Sequence, residues 1–187
     1  SKFREVVDDY VDNFFHFPQP QVHKWLLHSL IKSLTYDNDK RKEKEVSKSL
    51  RAFHYMFRFI VISRRNCEEA SAKMMSASEF VSQTEKVFQL LNSVISIPDN
   101  TALIAAQDQM LKFIGPLFEV MATIFPSDNH ALLGRITRQF LQAIPDTGRN
   151  NTIEGKLTVA SVVSNGSLLL RGEARKELLE YLCSLIR

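Results

Sequence analysis

The chain has 187 residues with 44% hydrophobic and 24% charged side chains, the balance of an ordinary globular fold rather than a disordered or membrane-spanning one. A single domain of this length buries roughly 70% of the surface its unfolded form exposes, which is enough for a sizeable core. The net charge of +3 comes from 24 basic and 21 acidic residues interspersed along the sequence, which argues against nucleic acid as a partner.

The opening segment sets Phe3, Val6, Val7, Tyr10, Val11 and Phe14 at helical spacing, with Glu5, Asp8, Asp9 and Asp12 on the other side. Pro18 and Pro20 end it. A second helix carries Val22, Trp25, Leu26, Leu30 and Leu34 as its inward residues before a polar run from Asp37 to Lys44. The stretch from Lys40 to Glu45 mixes four cations with two glutamates, so it reads as a solvated linker and helix start rather than as a lipid-binding patch or nuclear signal. A third helix, about Glu45 to Arg65, is apolar almost all round between Phe53 and Ile62, which predicts a central position. Arg64 and Arg65 at its end fit exposed cations at the negative pole of the helix dipole.

Ser76 and Glu79 form a capping-box pattern that opens a fourth helix with Phe80, Val87, Phe88, Leu91 and Ile95 facing inward, and Pro98 closes it. Thr101 is the predicted cap of a fifth helix. Its apolar stripe of Leu103, Met110, Leu111, Ile114, Leu117, Phe118 and Met121 runs through Gly115-Pro116, where a kink or break is predicted because proline cannot donate its backbone bond. A sixth helix after Ser127 and Asp128 buries Leu133, Ile136, Phe140 and Ile144 and stops at Pro145 to Gly148. Residues 153 to 163 alternate enough to suit a strand, but the helical neighbourhood favours a helix. The last helix, from about Glu173 to Arg187, presents Leu178, Leu179, Leu182, Leu185 and Ile186.

These elements pair into about four antiparallel helix hairpins, with turn signals every ~40 residues. The predicted fold is all-α: helix hairpins stacked as a solenoid of the armadillo or HEAT kind, with a closed helical bundle as the alternative. No residue-level repeat is visible in the sequence. The predicted core includes Phe53, Phe57, Ile60, Phe88, Leu91, Ile114, Phe118 and Phe140.

The sequence presents no pattern for chemistry. His23 and His28 are five apart, about 140° around a helix, and so cannot share a metal as an i, i+4 pair does. They read as surface residues, and His16, His54 and His130 as structural ones. Asp8-Asp9 and Glu68-Glu69 are sequence neighbours that point different ways on a helix. The six glycines form no phosphate loop, and Cys67 and Cys183 have neither metal nor redox spacing, which favours a reduced, intracellular setting. No catalytic, cofactor-binding or metal-binding residue is assigned and no cofactor is expected. The chain opens on Ser1 without an initiator methionine or a signal-peptide pattern, which points to a fragment of a longer protein.

One segment resembles a known family. Phe57-Arg58-Phe59-Ile60-Val61-Ile62-Ser63-Arg64 is similar to the Phe-[Lys/Arg]-Phe-Ile-Val-x-Ser-Arg helix core of the DOCK guanine-nucleotide exchange factors in their Rac-directed branch. Phe80-Val81, Phe88 to Asn92, and Arg175 to Leu179 follow in a similar order, more loosely. The resemblance implies a piece of the helical, armadillo-like region between the lipid-binding first homology region and the catalytic second one. It marks Phe57, Arg58, Phe59, Ile60, Val61, Ser63 and Arg64 as the motif core and carries over no catalytic residue. It further implies a parent protein that acts on a Rac-like GTPase, binds an ELMO-type adaptor, and serves cytoskeletal signalling and cell migration. That parent would be cytoplasmic and recruited to the plasma membrane through its other domains. A helical-repeat adaptor that binds a peptide or helix, unrelated to GTPases, is the competing reading. A hidden enzyme would require a polar pocket.

Overall fold

The structure is a computed structural model that describes residues 5–6, 9–10, 21–36, 39–68, 75–98, 100–125 and 127–185. The expectations for Phe3, Val7, Val11, Phe14, the two early prolines, His16 and Ile186 lie outside those residues. Among the described residues there are seven helices of any length: α1 (Val22–Leu34), α2 (Lys40–Glu68), α3 (Ala77–Ile95), α4 (Thr101–Ile124), α5 (His130–Ala143), α6 (Asn150–Asn165) and α7 (Gly172–Ser184). Short 3-10 turns at Ser127–Asn129 and Ser167–Leu170 lead into α5 and α7. The ambiguous stretch around Leu157 to Val163 is helical, and no strand occurs among the described residues.

Helices two apart in sequence pack side by side. α1, α3, α5 and α7 form one layer in that order, and α2, α4 and α6 form the other. α1 also packs broadly on α2, whereas α1 and α7 are not among the closely packed pairs. A closed bundle would bring the first and last helices together; an advancing two-layer ladder keeps them apart, which decides for the solenoid.

The core lies between the layers. Phe53 and Phe57 of α2 stack at 5.7 Å, and both meet Phe88 of α3 edge-on, at 5.8 and 5.3 Å. Phe88 reaches Phe118 of α4 and Phe118 reaches Phe140 of α5, each at 5.8 Å. This phenylalanine spine therefore ties four consecutive helices together, each pair adding roughly 0.5–1.5 kcal/mol beyond the burial of its area. All eight predicted core residues are buried. No residue of α2 from Phe53 to Arg64 is fully exposed, as its all-round apolar pattern requires.

Several local expectations need correction. The run from Lys40 to Glu45 is a helix start, as expected, but not a linker, since α2 begins at Lys40 rather than near Glu45. Asn100, not Thr101, caps α4, its side chain accepting from the Ala102 N–H at 3.0 Å. α4 runs unbroken through Pro116, which sits on its exposed side, so the one missing backbone bond falls where water can serve the freed carbonyl. The Ser76 cap is as predicted, accepting from the Glu79 N–H at 3.0 Å. Trp25 is 57% exposed rather than inward, and Leu27 takes the inward place beside Leu30 and Leu34. Leu179 is also exposed, leaving Leu178 and Leu182 as the buried face of α7.

Candidate functional site

Stacking leaves the backbone groups at helix ends to be satisfied by side chains, and here those side chains join one hairpin to the next. The connections α1–α2, α3–α4 and α5–α6 lie along one edge of the stack. At its start, the Tyr36 hydroxyl donates to Glu43 Oε1 at 3.2 Å, and Asn100 Nδ2 reaches both Tyr36 Oη and Glu43 Oε1 at 3.2 Å. Asn100 therefore caps α4 with its oxygen and holds the preceding hairpin with its nitrogen.

Two helical turns further along α4, buried Gln107 donates to the carbonyls of Val94 and Ile97 at 3.0 and 3.1 Å, closing the end of α3. Its oxygen accepts from Arg149 Nη2 at 3.1 Å, while Arg149 Nη1 pairs with Asp108 at 3.0 Å. Arg149 also bounds the α5–α6 turn, where Gly148 takes φ 112°, a left-handed conformation that suits glycine. Lys156, 3% exposed, donates to the Ile144 carbonyl at 2.9 Å and pairs with Asp146 at 2.5 Å, and its ammonium lies 5.9 Å from the Tyr181 ring centre. A buried ammonium is tolerated only when its donors are used in this way.

The opposite edge is pinned similarly. Arg64 donates to the Met75 carbonyl at 2.5 Å and lies 5.3 Å from the Phe80 ring centre, so it is a buried clasp between α2 and α3. This corrects the expectation of an exposed dipole partner; Arg65, its neighbour, is the exposed one. Glu119 of α4 accepts from the N–H and hydroxyl of Ser167, at 2.5 and 2.8 Å, anchoring the turn that leads into α7.

The structure brings the seven motif residues together on a single helix, α2. Phe57, Ile60, Val61, Ser63 and Arg64 are buried, and Arg58 and Phe59 are half-buried. The motif is thus mainly packing surface plus the Arg64 clasp. The sequence reading missed the edge residues Asn100, Gln107, Arg149 and Lys156. Each lies in the first two turns of its helix or next to it, a position that does not by itself name a partner, whether 10 or 12 residues away as for Lys156 or more than 40 as for Asn100 and Arg149.

His23 also departs from its reading as a surface residue. It is fully buried, edge-on to Phe80 at 6.1 Å, with neither ring nitrogen hydrogen-bonded among the described residues. Burial, then the charges of Arg64 and Lys24, lower its pKa to about 4. His54 and His130 are buried as well. No group of three or more His, Cys, Asp or Glu side chains converges as a metal site among the described residues. No described helix is long and apolar enough to cross a membrane. Clefts such as the one lined by Leu157, Ala160, Ser161 and Leu182 hold about 160 to 280 Å³. That is below the ~300–1,000 Å³ of sites that enclose a small molecule.

What the arrangement offers is a row of helix pairs locked in register, with its outer faces free for contact. The sequence model of the Dedicator of cytokinesis (DOCK) TPR region matches residues 1–187, the whole chain. The chain belongs to the DOCK family, within its TPR region. Dedicator of cytokinesis protein 3 of mouse and that of human are each 24% identical to it over 179 residues, covering 95% of this chain. The DOCK chain spans 9% of the length of these relatives. No solved structure matches it. Its 29-residue α2 alone approaches the 34 residues of an ordinary TPR unit, so this DOCK segment stretches its hairpins unevenly. That unevenness explains why no residue-level period shows in the sequence.

Proposed function

We propose that this segment is a non-catalytic scaffold of a DOCK-type guanine-nucleotide exchange factor that activates a Rac-like small GTPase. In this reading it spaces and orients the lipid-binding and catalytic regions and lends surface to protein partners, with an ELMO-type adaptor among the parent's partners. The parent works in the cytoplasm and reaches the plasma membrane through its other domains. The observation that carries the proposal is the edge-pinned ladder. Polar side chains clamp each hairpin to the next at both edges, which makes a spacer of fixed geometry rather than a flexible linker.

The test is to add the chain to Rac loaded with a fluorescent nucleotide and follow release. No acceleration is expected at any ratio of chain to GTPase. Release accelerated to the rate given by a catalytic exchange domain overturns the scaffold assignment.

A further inference from the structure

The solvent face of α2 carries four cations in a row: Arg41, Lys44, Lys48 and Arg51, all exposed. At ~100° per residue they fall within about 80° of the helix circumference, and at ~1.5 Å per residue they extend over about 15 Å. Val46, Leu50, Phe53 and Phe57 are buried on the other side of the same helix. The row is therefore held outward by a helix whose opposite face lies in the core.

Lys24, Arg135, Arg138, Arg149, Lys156 and Lys176 each pair with a carboxylate, from Glu79, Glu85, Glu177, Asp108, Asp146 and Glu173 respectively. Among the described residues, the side chains of Arg41, Lys44, Lys48 and Arg51 have no such partner. Other exposed cations, such as Lys32, Lys86 and Lys112, also lack a carboxylate partner among the described residues, and what sets the row apart is that four such cations share one helix face. Arg41 with Lys44, Lys44 with Lys48, and Lys48 with Arg51 stand three or four apart, where like charges repel and weaken the helix. Glu45, exposed beside the row, offsets only part of that charge.

We propose that this stripe is a docking surface for an acidic protein segment whose carboxylates recur at three- and four-residue spacing along about 15 Å. The inference is independent of the spacer role, since it concerns what meets the outer face rather than what the stack holds apart. Two features favour a protein segment over an anionic membrane. Helices that settle on membranes flank their cations with apolar side chains that penetrate, and none of the large exposed hydrophobic residues of the described chain lies on α2. Glu45 would also face a uniformly negative sheet, whereas a protein segment can set a neutral or basic residue opposite it.

The experiment uses the 187-residue chain and a labelled helical peptide with glutamates at three- and four-residue spacing, its glutamine counterpart, and vesicles containing about 30% phosphatidylserine. Fluorescence anisotropy should show binding to the glutamate peptide that weakens steeply with added salt. Lys44→Glu/Lys48→Glu should reduce that affinity by at least about tenfold. Lys86→Glu/Lys176→Glu, on exposed positions of the other layer, should leave it unchanged. All variants alter exposed positions, and circular dichroism confirms that they fold. Equal binding of the two peptides, equal loss in both double variants, or no loss in the α2 variant overturns the proposal. Vesicle binding that depends on Lys44 and Lys48 without peptide binding overturns it in favour of a membrane.

Discussion

At His23 the fold accepts an imidazole where an apolar residue would serve, and the consequence is a dependence on pH. The ring is neutral in the folded state down to about pH 4, because burial and the nearby Arg64 and Lys24 charges disfavour its cation. In the unfolded chain it titrates near the ordinary 6.5. Between those values the unfolded state binds more protons, so stability falls as pH drops from about 6.5 towards 4. The loss attributable to this one residue is on the order of 2–3 kcal/mol at most. Urea unfolding of wild type and His23→Leu at pH 7.5 and 4.5 measures it: the wild type should lose more stability than the variant over that interval. Equal losses would mean that His23 is hydrated or paired, contrary to its position under Phe80. Residues of this kind were not legible in advance. Hydrophobic periodicity ranked Trp25 inward and His23 outward, yet His23 faces the space that α2 and α3 enclose and Trp25 faces water. A letter-by-letter pattern describes a helix alone, whereas the two neighbours of α1 select which arc is covered.

Between elements, a glycine allows one close backbone approach. A Cβ placed on Gly134 of α5 would come within 2.8 Å of the Cα and carbonyl oxygen of Ala174 on α7. The obstacle is backbone, so it cannot yield as a side chain would. In an exposed helix, exchanging glycine for alanine gains up to about 1 kcal/mol. Here the helices must separate, and Gly134→Ala should instead cost about 1–3 kcal/mol. Gly172, at the start of α7, has nothing within 4 Å of its would-be Cβ, and Gly172→Ala should be neutral or stabilising. Thermal melts of the pair give the comparison, and a Gly134→Ala melt at or above the wild-type temperature would show that α5 and α7 do not cross this tightly. Element identities and inward faces such as Phe80, Val87, Phe88, Leu91 and Ile95 were readable from spacing because each helix is long enough to repeat its pattern. The continuity of α4 through Pro116 was not, because whether a freed carbonyl meets water depends on which side of the stack the proline occupies.

On the scale of the whole molecule, the two-layer ladder makes stability local. Each helix draws its packing from neighbours two places away and from the facing layer, so damage at one end should decay along the array instead of spreading evenly. The family motif illustrates why the sequence could reveal the stack without revealing its clamps. Phe57, Ile60 and Val61 of the motif are apolar core and only Arg64 is a clasp, whereas Asn100 to Glu43 and Arg149 to Asp108 are contacts between turns far apart in the chain. Leu178, fully buried on α7, gives the direct test, since Leu178→Ala should open a cavity costing about 2–5 kcal/mol. Hydrogen exchange followed by mass spectrometry should then accelerate most in α7 and in α5 on which it packs, less in α6, and not measurably in α1 and α2. A closed bundle would respond differently, because α7 would touch α1 and its loosening would expose both. Uniform acceleration from α1 to α7 would therefore contradict the ladder, and with it the fixed spacing on which the proposed scaffold role depends.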